Sequence, residues 1–186
     1  MPSSGCGWRW PSRGSGFGAE PTTLAALLSP EHIALIDSGV SVIVASRDAQ
    51  LRPSLMRGMG SRISADGTRI TVYLRPSQAR PLLDDLAAGG PIAVVFSHPP
   101  TNRTVQLKAS GVRIRTVEPS DQAALRRYRV AMQNNLGQLG FVPDYVAAAF
   151  SVLPGDLVAV EFTPEAAFDQ TPGARAGTPL PARGAP

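Results

Sequence analysis

Between Thr101 and Arg115 the chain alternates, with Val105, Leu107, Ala109, Val112 and Ile114 apolar or small and Thr104, Gln106, Lys108 and Arg113 between them. Period-two alternation predicts a strand with one buried and one polar face. The polar face holds cations and neutral hydrogen-bonding groups, and no carboxylate occurs from Thr101 to Arg115. Such a face suits a polyanion or a phosphorylated cofactor, and it equally suits the plain outer surface of a barrel.

The same reading places the other elements. Thr23 to Ser38 turns helical, with Leu24, Leu27 and Leu28 followed by a fresh start at Ser29-Pro30-Glu31. Ser at the N-cap, Pro at the first helical position and an acid in the first turn mark that start. Val40–Ser46 is a β-branched run and a strand. Leu51–Ser64 reads as a second strand, in which Pro53 implies an edge, a bulge or a strand start, and Gly58 and Gly60 a bend or a close backbone approach. Asp66-Gly67 centres a hairpin turn into a third strand over Arg69–Leu74. Ser77–Ala88 is a helix burying Leu82, Leu83 and Leu86. Ile92–Ser97 is an apolar strand that turns at His98-Pro99-Pro100 into Thr101–Arg115. Helices follow at Ser120 to about Leu136, with Leu125, Tyr128, Val130 and Met132 as apolar positions, and at Pro143–Phe150. Leu157–Phe162 is the last strand.

Adjacent strands joined by short turns argue for antiparallel pairing. The expected fold is mainly β with peripheral helices, a six-stranded antiparallel split β-barrel of Greek-key type. Composition adds the ends. Gly and Pro, 18 of each in 186 residues, gather at the termini. Residues 1–20 therefore read as a disordered leader, 21–166 as the domain and 167–186 as a flexible tail. Trp8, Trp10 and Phe17 could dock on the domain or on a partner, and Asp169-Gln170-Thr171 could fold back over the barrel.

Charge narrows the function. The formal charge is +4, nearly all of the cations are Arg, and Lys108 is the only lysine. No dense basic cluster with interleaved aromatics supports nucleic-acid binding. Cys6 alone builds neither a disulfide framework nor a thiolate metal site, and His32 and His98 lie far apart in sequence. No apolar run approaches the roughly 20 residues of a membrane span, and the N-terminus lacks the pattern of a secretory signal. The default location is the cytoplasm.

Three segments carry Arg beside hydroxyl or amide groups and no acid: the 101–115 strand, Arg52-Pro53-Ser54-Leu55-Met56-Arg57, and Tyr73-Leu74-Arg75-Pro76-Ser77-Gln78-Ala79-Arg80. The last opens a helix, whose free N–H groups and dipole favour an anion. It reads equally as a simple Ser77 cap with solvated arginines.

Over roughly residues 30–165 the order of these motifs resembles the pyridoxamine 5'-phosphate oxidase-like family of flavin-binding split-barrel proteins. The shared features are the Arg-bearing second strand, the Tyr-Leu strand end, the Arg-bearing helix start and Arg-Thr-Val-Gln-Leu. The resemblance implies FMN at a homodimer interface and oxidoreductase activity on a small molecule. It assigns Arg52, Pro53, Ser54 and Leu55 to ring and phosphate contacts, Tyr73 and Leu74 to the third-strand pair, and Ser77, Gln78 and Arg80 to the phosphate. Thr104 takes the position of the polar residue after the Arg of the later strand, with Gln106 two residues on along the same face. The family's Arg-Lys pair at the helix start is Ala79-Arg80 here, and its Trp- and Arg-bearing C-terminus is replaced by Phe168–Gly173. These departures set aside vitamin B6 oxidation itself and leave a flavin-binding barrel with an unidentified substrate. Three alternatives stay open: a deazaflavin or haem on the same fold, a non-catalytic flavin-storing or flavin-sensing protein, and a nucleic-acid-binding barrel.

Overall fold

The computed structural model describes residues 27–180. The expected leader, with Cys6 and its aromatics, and the positions from Thr23 to residue 26 lie outside the described residues. The order is α1 (Pro30–Asp37), β1 (Ser41–Arg47), β2 (Pro53–Arg57), β3 (Ser61–Ile63), β4 (Ile70–Leu74), α2 (Pro76–Ala87), β5 (Ile92–Ser97), β6 (Thr104–Ala109), β7 (Arg113–Thr116), a 3₁₀ turn (Pro119–Asp121), α3 (Gln122–Gly137), α4 (Pro143–Ala149), β8 (Val158–Phe162) and β9 (Ala166–Asp169). The Ser29 hydroxyl accepts from the His32 amide and caps α1, as the Ser-Pro-Glu start predicts.

Two antiparallel sheets result, β2-β1-β5-β6-β9 and β3-β4-β8-β7, an arrangement consistent with a split barrel. The expected count of six strands is corrected to nine among the described residues, for three reasons. First, Leu51–Ser64 is two strands. The chain leaves the first sheet after Arg57 and enters the second at Ser61. The Gly58 amide still donates to the Val42 carbonyl at 2.8 Å, whereas the Met59 amide already donates to the Tyr73 carbonyl at 2.7 Å. A Cβ on Gly58 would stand 2.9 Å from Val42 Cγ1, so this crossing lies flat against β1.

Second, the 101–115 alternation is also two strands. β6 lies in the first sheet and β7 in the second, with Ser110-Gly111-Val112 between them. Val105, Leu107 and Ala109 are buried as expected, but Ile114 is exposed. Third, the expected tail begins inside a strand. β9 pairs with β6, placing Ala167 opposite Leu107. Farther on, the Leu180 amide donates to the Ala167 carbonyl at 2.8 Å. The Gly/Pro richness after residue 170 encodes turns that return the chain to this edge.

The core fills the space between the sheets. Val42, Val44, Val94, Phe96 and Leu107 of one meet Ile70, Val72, Leu74, Val160 and Phe162 of the other. α2 covers the β1–β2 end with Leu82 and Leu86 buried. α3 packs on the second sheet through Leu125, Tyr128 and Met132. Val130 faces solvent, contrary to its expected apolar position. Gly39 joins α1 to β1 at φ +74°, and a Cβ there would fall 2.3 Å from that of Ala131, so only glycine lets α3 approach. No helix among the described residues is long and apolar enough to cross a membrane.

Candidate functional site

The first sheet has an inner face in the core and an outer face that is half-buried at most. Its register lines up one row across five strands, Arg57–Ile43–Val95–Gln106–Phe168, and a neighbouring row, Leu55–Ala45–Ala93–Lys108–Ala166. Strands β1, β2, β5 and β6 contain no Asp or Glu. The outer face is therefore a flat field of small apolar side chains edged by Arg57, Lys108 and the Gln106 amide. Lys108 Nζ sits over the Phe168 ring, 4.7 Å from its centroid. Gln106 Oε1 accepts from Gln170 Nε2 at 3.3 Å, and the Thr104 hydroxyl meets that of Ser97 at 2.8 Å.

The residues expected to form one site are distributed over three places. Pro53, Leu55, Thr104 and Gln106 share the outer face. Ser54 alternates to the other side, where its hydroxyl donates to Asp85 of α2. Ser77, Gln78 and Arg80 stand at the start of α2, and all three are exposed. Tyr73 and Leu74 are fully buried. The Tyr73 side chain thus lines no open surface, and its hydroxyl donates to Asp121 Oδ1 at 2.8 Å.

The helix start does not offer the open anion site that its sequence suggests. Asp156, from the loop before β8, reaches it. Its Oδ1 accepts from the Ser77 amide at 3.0 Å, while its Oδ2 accepts from the Ser77 hydroxyl at 2.6 Å and from Arg75 Nε at 2.9 Å. A carboxylate of the protein already occupies the place of the expected phosphate. Those bonds hold the Asp156 carboxyl down at about 2, the Ser77 hydroxyl and amide first and Arg75 after them.

The arginines divide by partner. Arg52 pairs with Asp48 at 2.6 Å, Arg75 with Asp156 at 2.9 Å, and Arg80 with Asp84 at 3.5 Å. Arg57 forms no ion pair among the described residues, and its guanidinium lies 5.7 Å from the centre of the Phe150 ring. Arg57 is thus a cation on this face without a carboxylate partner, and the sequence-based assignment passed over it. Its signal was present, since Arg57 keeps the alternation of Pro53 and Leu55.

A second charged cluster lies between the other sheet and α3. Asp121 is fully buried and receives both Arg115 Nη1 at 2.6 Å and Nη2 at 3.1 Å, along with the Glu118 amide at 2.9 Å. Arg115 Nε turns to Glu161 at 2.8 Å. Arg115 foremost, then the Glu118 amide and the Tyr73 hydroxyl, holds the Asp121 carboxyl well below the usual range. Burial, and then the bond to Asp121, pushes the Tyr73 hydroxyl upward. Every polar atom of Asp121 is engaged within the protein, so this cluster fastens α3 to the sheet. Among the described residues no group of His, Cys, Asp and Glu could hold a metal ion.

No protein-family profile matches the chain, and no curated protein matches it. Solved structures do. One is a candidate pyridoxamine 5'-phosphate oxidase from Lactobacillus delbrueckii, at 14% identity over 76% of this chain and 93% of that one, with a TM-score of 0.48. Another is HupZ of Group A Streptococcus, at 17% identity over 81% and 99%, with a TM-score of 0.49. A third is a pyridoxamine 5'-phosphate oxidase-related, FMN binding protein from Nostoc punctiforme, at 14% identity over 80% and 87%, with a TM-score of 0.44. Further matches carry general stress protein 26 names.

Proposed function

We propose that the protein is a split-barrel flavin-binding oxidoreductase that works as a homodimer, with FMN held against the outer face of the β2-β1-β5-β6-β9 sheet. The observation that carries this reading is the absence of any carboxylate from β1, β2, β5 and β6, on a face that sets Arg57 at one end and Gln106 near the other. Arg57 and Gln106 stand three strand spacings apart, roughly 14 Å. Between them Ile43 and Val95 give an apolar floor on which a flat ring system can lie.

The donor set fits a flavin on the sheet face and does not fit its phosphate at the start of α2, where Asp156 would oppose it. The phosphate is therefore assigned to Arg57, which stands at the edge of this face without a carboxylate partner among the described residues. The Gln106 amide and the Thr104 hydroxyl supply hydrogen bonds to ring-edge atoms. A bound flavin would supply hydride transfer, while the chain binds and orients it and keeps negative charge away from it. A second copy of the chain covers the apolar rows and closes the site from above.

The absorption spectrum of the purified protein, before and after incubation with FMN and gel filtration, tests the reading. A retained flavin spectrum with mass identification of FMN on denaturation is expected. Protein that stays colourless after FMN treatment overturns it, a released deazaflavin or haem replaces FMN on the same face, and bound FMN that no reductant or small substrate turns over makes the protein a flavin carrier.

A further inference from the structure

A second candidate cleft is lined by α3, the end of α4, the 150–157 loop and the end of β7, and encloses about 440 Å³. That is the size of a small-molecule site. Its walls are Met59, Leu125 and Phe150, all nearly buried, together with Val152 and Leu157, and Leu153 stands 67% exposed at its mouth. A second hollow of about 500 Å³ continues it along α3 and shares Arg129, Phe150 and Val152. Arg126 lines the second hollow and lies one helical turn from Arg129, on the same face of α3.

The charge pattern gives the ligand its sign. An ordinary solvent-facing helix mixes acids and bases in supporting pairs. α3 has Arg126, Arg127 and Arg129 and no acid in its 16 residues. None of the three forms an ion pair among the described residues. Among the described residues, neither hollow has an Asp, Glu or His in its walls. An apolar trough with arginines at one rim and no compensating carboxylate matches a molecule with an apolar body and a single anionic end.

We infer that the α3–α4 cleft is a binding site for an amphiphilic carboxylate, whose alkyl or aryl body lies against Leu125, Phe150 and Leu157 while its carboxylate pairs with Arg129. The inference rests on this cleft and not on the flavin reading, although Arg57 of that reading lies 5.7 Å from the centre of the Phe150 ring in the cleft wall.

Calorimetric titration of the full chain with decanoate, with 2-naphthoate and with neutral 1-decanol tests it. Saturable binding of decanoate or 2-naphthoate is expected, and the tighter of the two tells an alkyl from an aryl ligand. Arg129→Gln should weaken carboxylate binding about tenfold or more, the loss of one charge-assisted hydrogen bond, and leave 1-decanol unchanged. Leu153→Asp should weaken all three ligands. Both positions are exposed, so both variants keep the fold, and unchanged circular dichroism and thermal melting confirm it. Absence of saturable binding by either carboxylate overturns the inference, as does carboxylate affinity that is the same in Arg129→Gln. The titrations use FMN-free protein, because Arg57 lies against the Phe150 ring of the cleft wall.

Discussion

The carboxylate of Asp156 accepts from both the backbone amide and the hydroxyl of Ser77 and so closes the start of α2 from a loop 79 residues farther along the chain. The clasp ties the 150–157 loop to the helix and takes the place where an outside anion would bind. Asp156→Ala should lower Tm by a few degrees and open the site. Phosphate should then raise the Tm of the variant at constant ionic strength and leave that of the parent protein unchanged, as read by differential scanning fluorimetry. Because the folded pKa is depressed to about 2, the clasp contributes fully above the unfolded carboxylate value of about 4 and is lost as pH falls from there toward 2.

Asp121 should matter more to stability than any other single carboxylate described. It is fully buried, and its removal leaves Arg115 without its closest partner. Breaking a buried pair in this way costs about 3–5 kcal/mol, which for a chain of this length is a fall in Tm on the order of 10 °C. Urea unfolding of Asp121→Asn measures it. The depressed Asp121 pKa makes its contribution present above about pH 4 and lost as pH falls further. The variant should accordingly show a shallower acid limb in Tm against pH.

These two acids also show where the sequence was legible. The elements follow from local chemistry. The Ser29 cap, the Asp66-Gly67 turn, the β-branched run of β1, the apolar run of β5 and the alternation of β6 are short-range signals, and each lies where it was expected. The change of sheet was legible only in part: Gly58 and Gly60 mark the bend between Arg57 and Ser61, but the strand pattern runs on through it, and through Ala109 into Arg113, while the backbone changes sheet. β9 was hidden for the opposite reason. Its residues are few, and the Gly/Pro turns after it resemble a tail until their pairing with Ala167 is known. The site was legible as a composition, arginines and amides without acids, but not as a set of partners. Nothing local in Ser77 or Tyr73 announces Asp156 or Asp121, which arrive from far along the chain.

The partner pattern among the arginines separates the flavin reading from a generic basic surface. Arg57→Gln should weaken FMN binding about tenfold to a hundredfold, the value of a charge-assisted contact. Arg52→Gln and Arg80→Gln, whose guanidinium groups already meet Asp48 and Asp84, should change it less than about threefold. Titration of flavin fluorescence measures all three. Equal losses in the three variants would show that only net charge matters and would remove Arg57 from the site.

The outer sheet face makes a prediction about assembly. Ile43, Ala45, Ala93 and Val95 lie side by side across β1 and β5, only half-buried, with Leu55 exposed beside them. A contiguous apolar patch of this kind marks a contact surface. Val95→Glu sets a carboxylate at its centre, where a second copy would have to bury it without a partner. Such a charge costs several kcal/mol, on the order of a hundredfold or more in the dimer Kd. Light scattering coupled to size exclusion should show a dimer for the parent protein and a monomer for Val95→Glu, with the far-ultraviolet circular dichroism preserved. FMN affinity should fall in the same variant, because the new carboxylate sits beside Gln106 in the row that ends at Arg57. A parent protein that is monomeric at every concentration, or a variant that stays dimeric, would place the contact elsewhere.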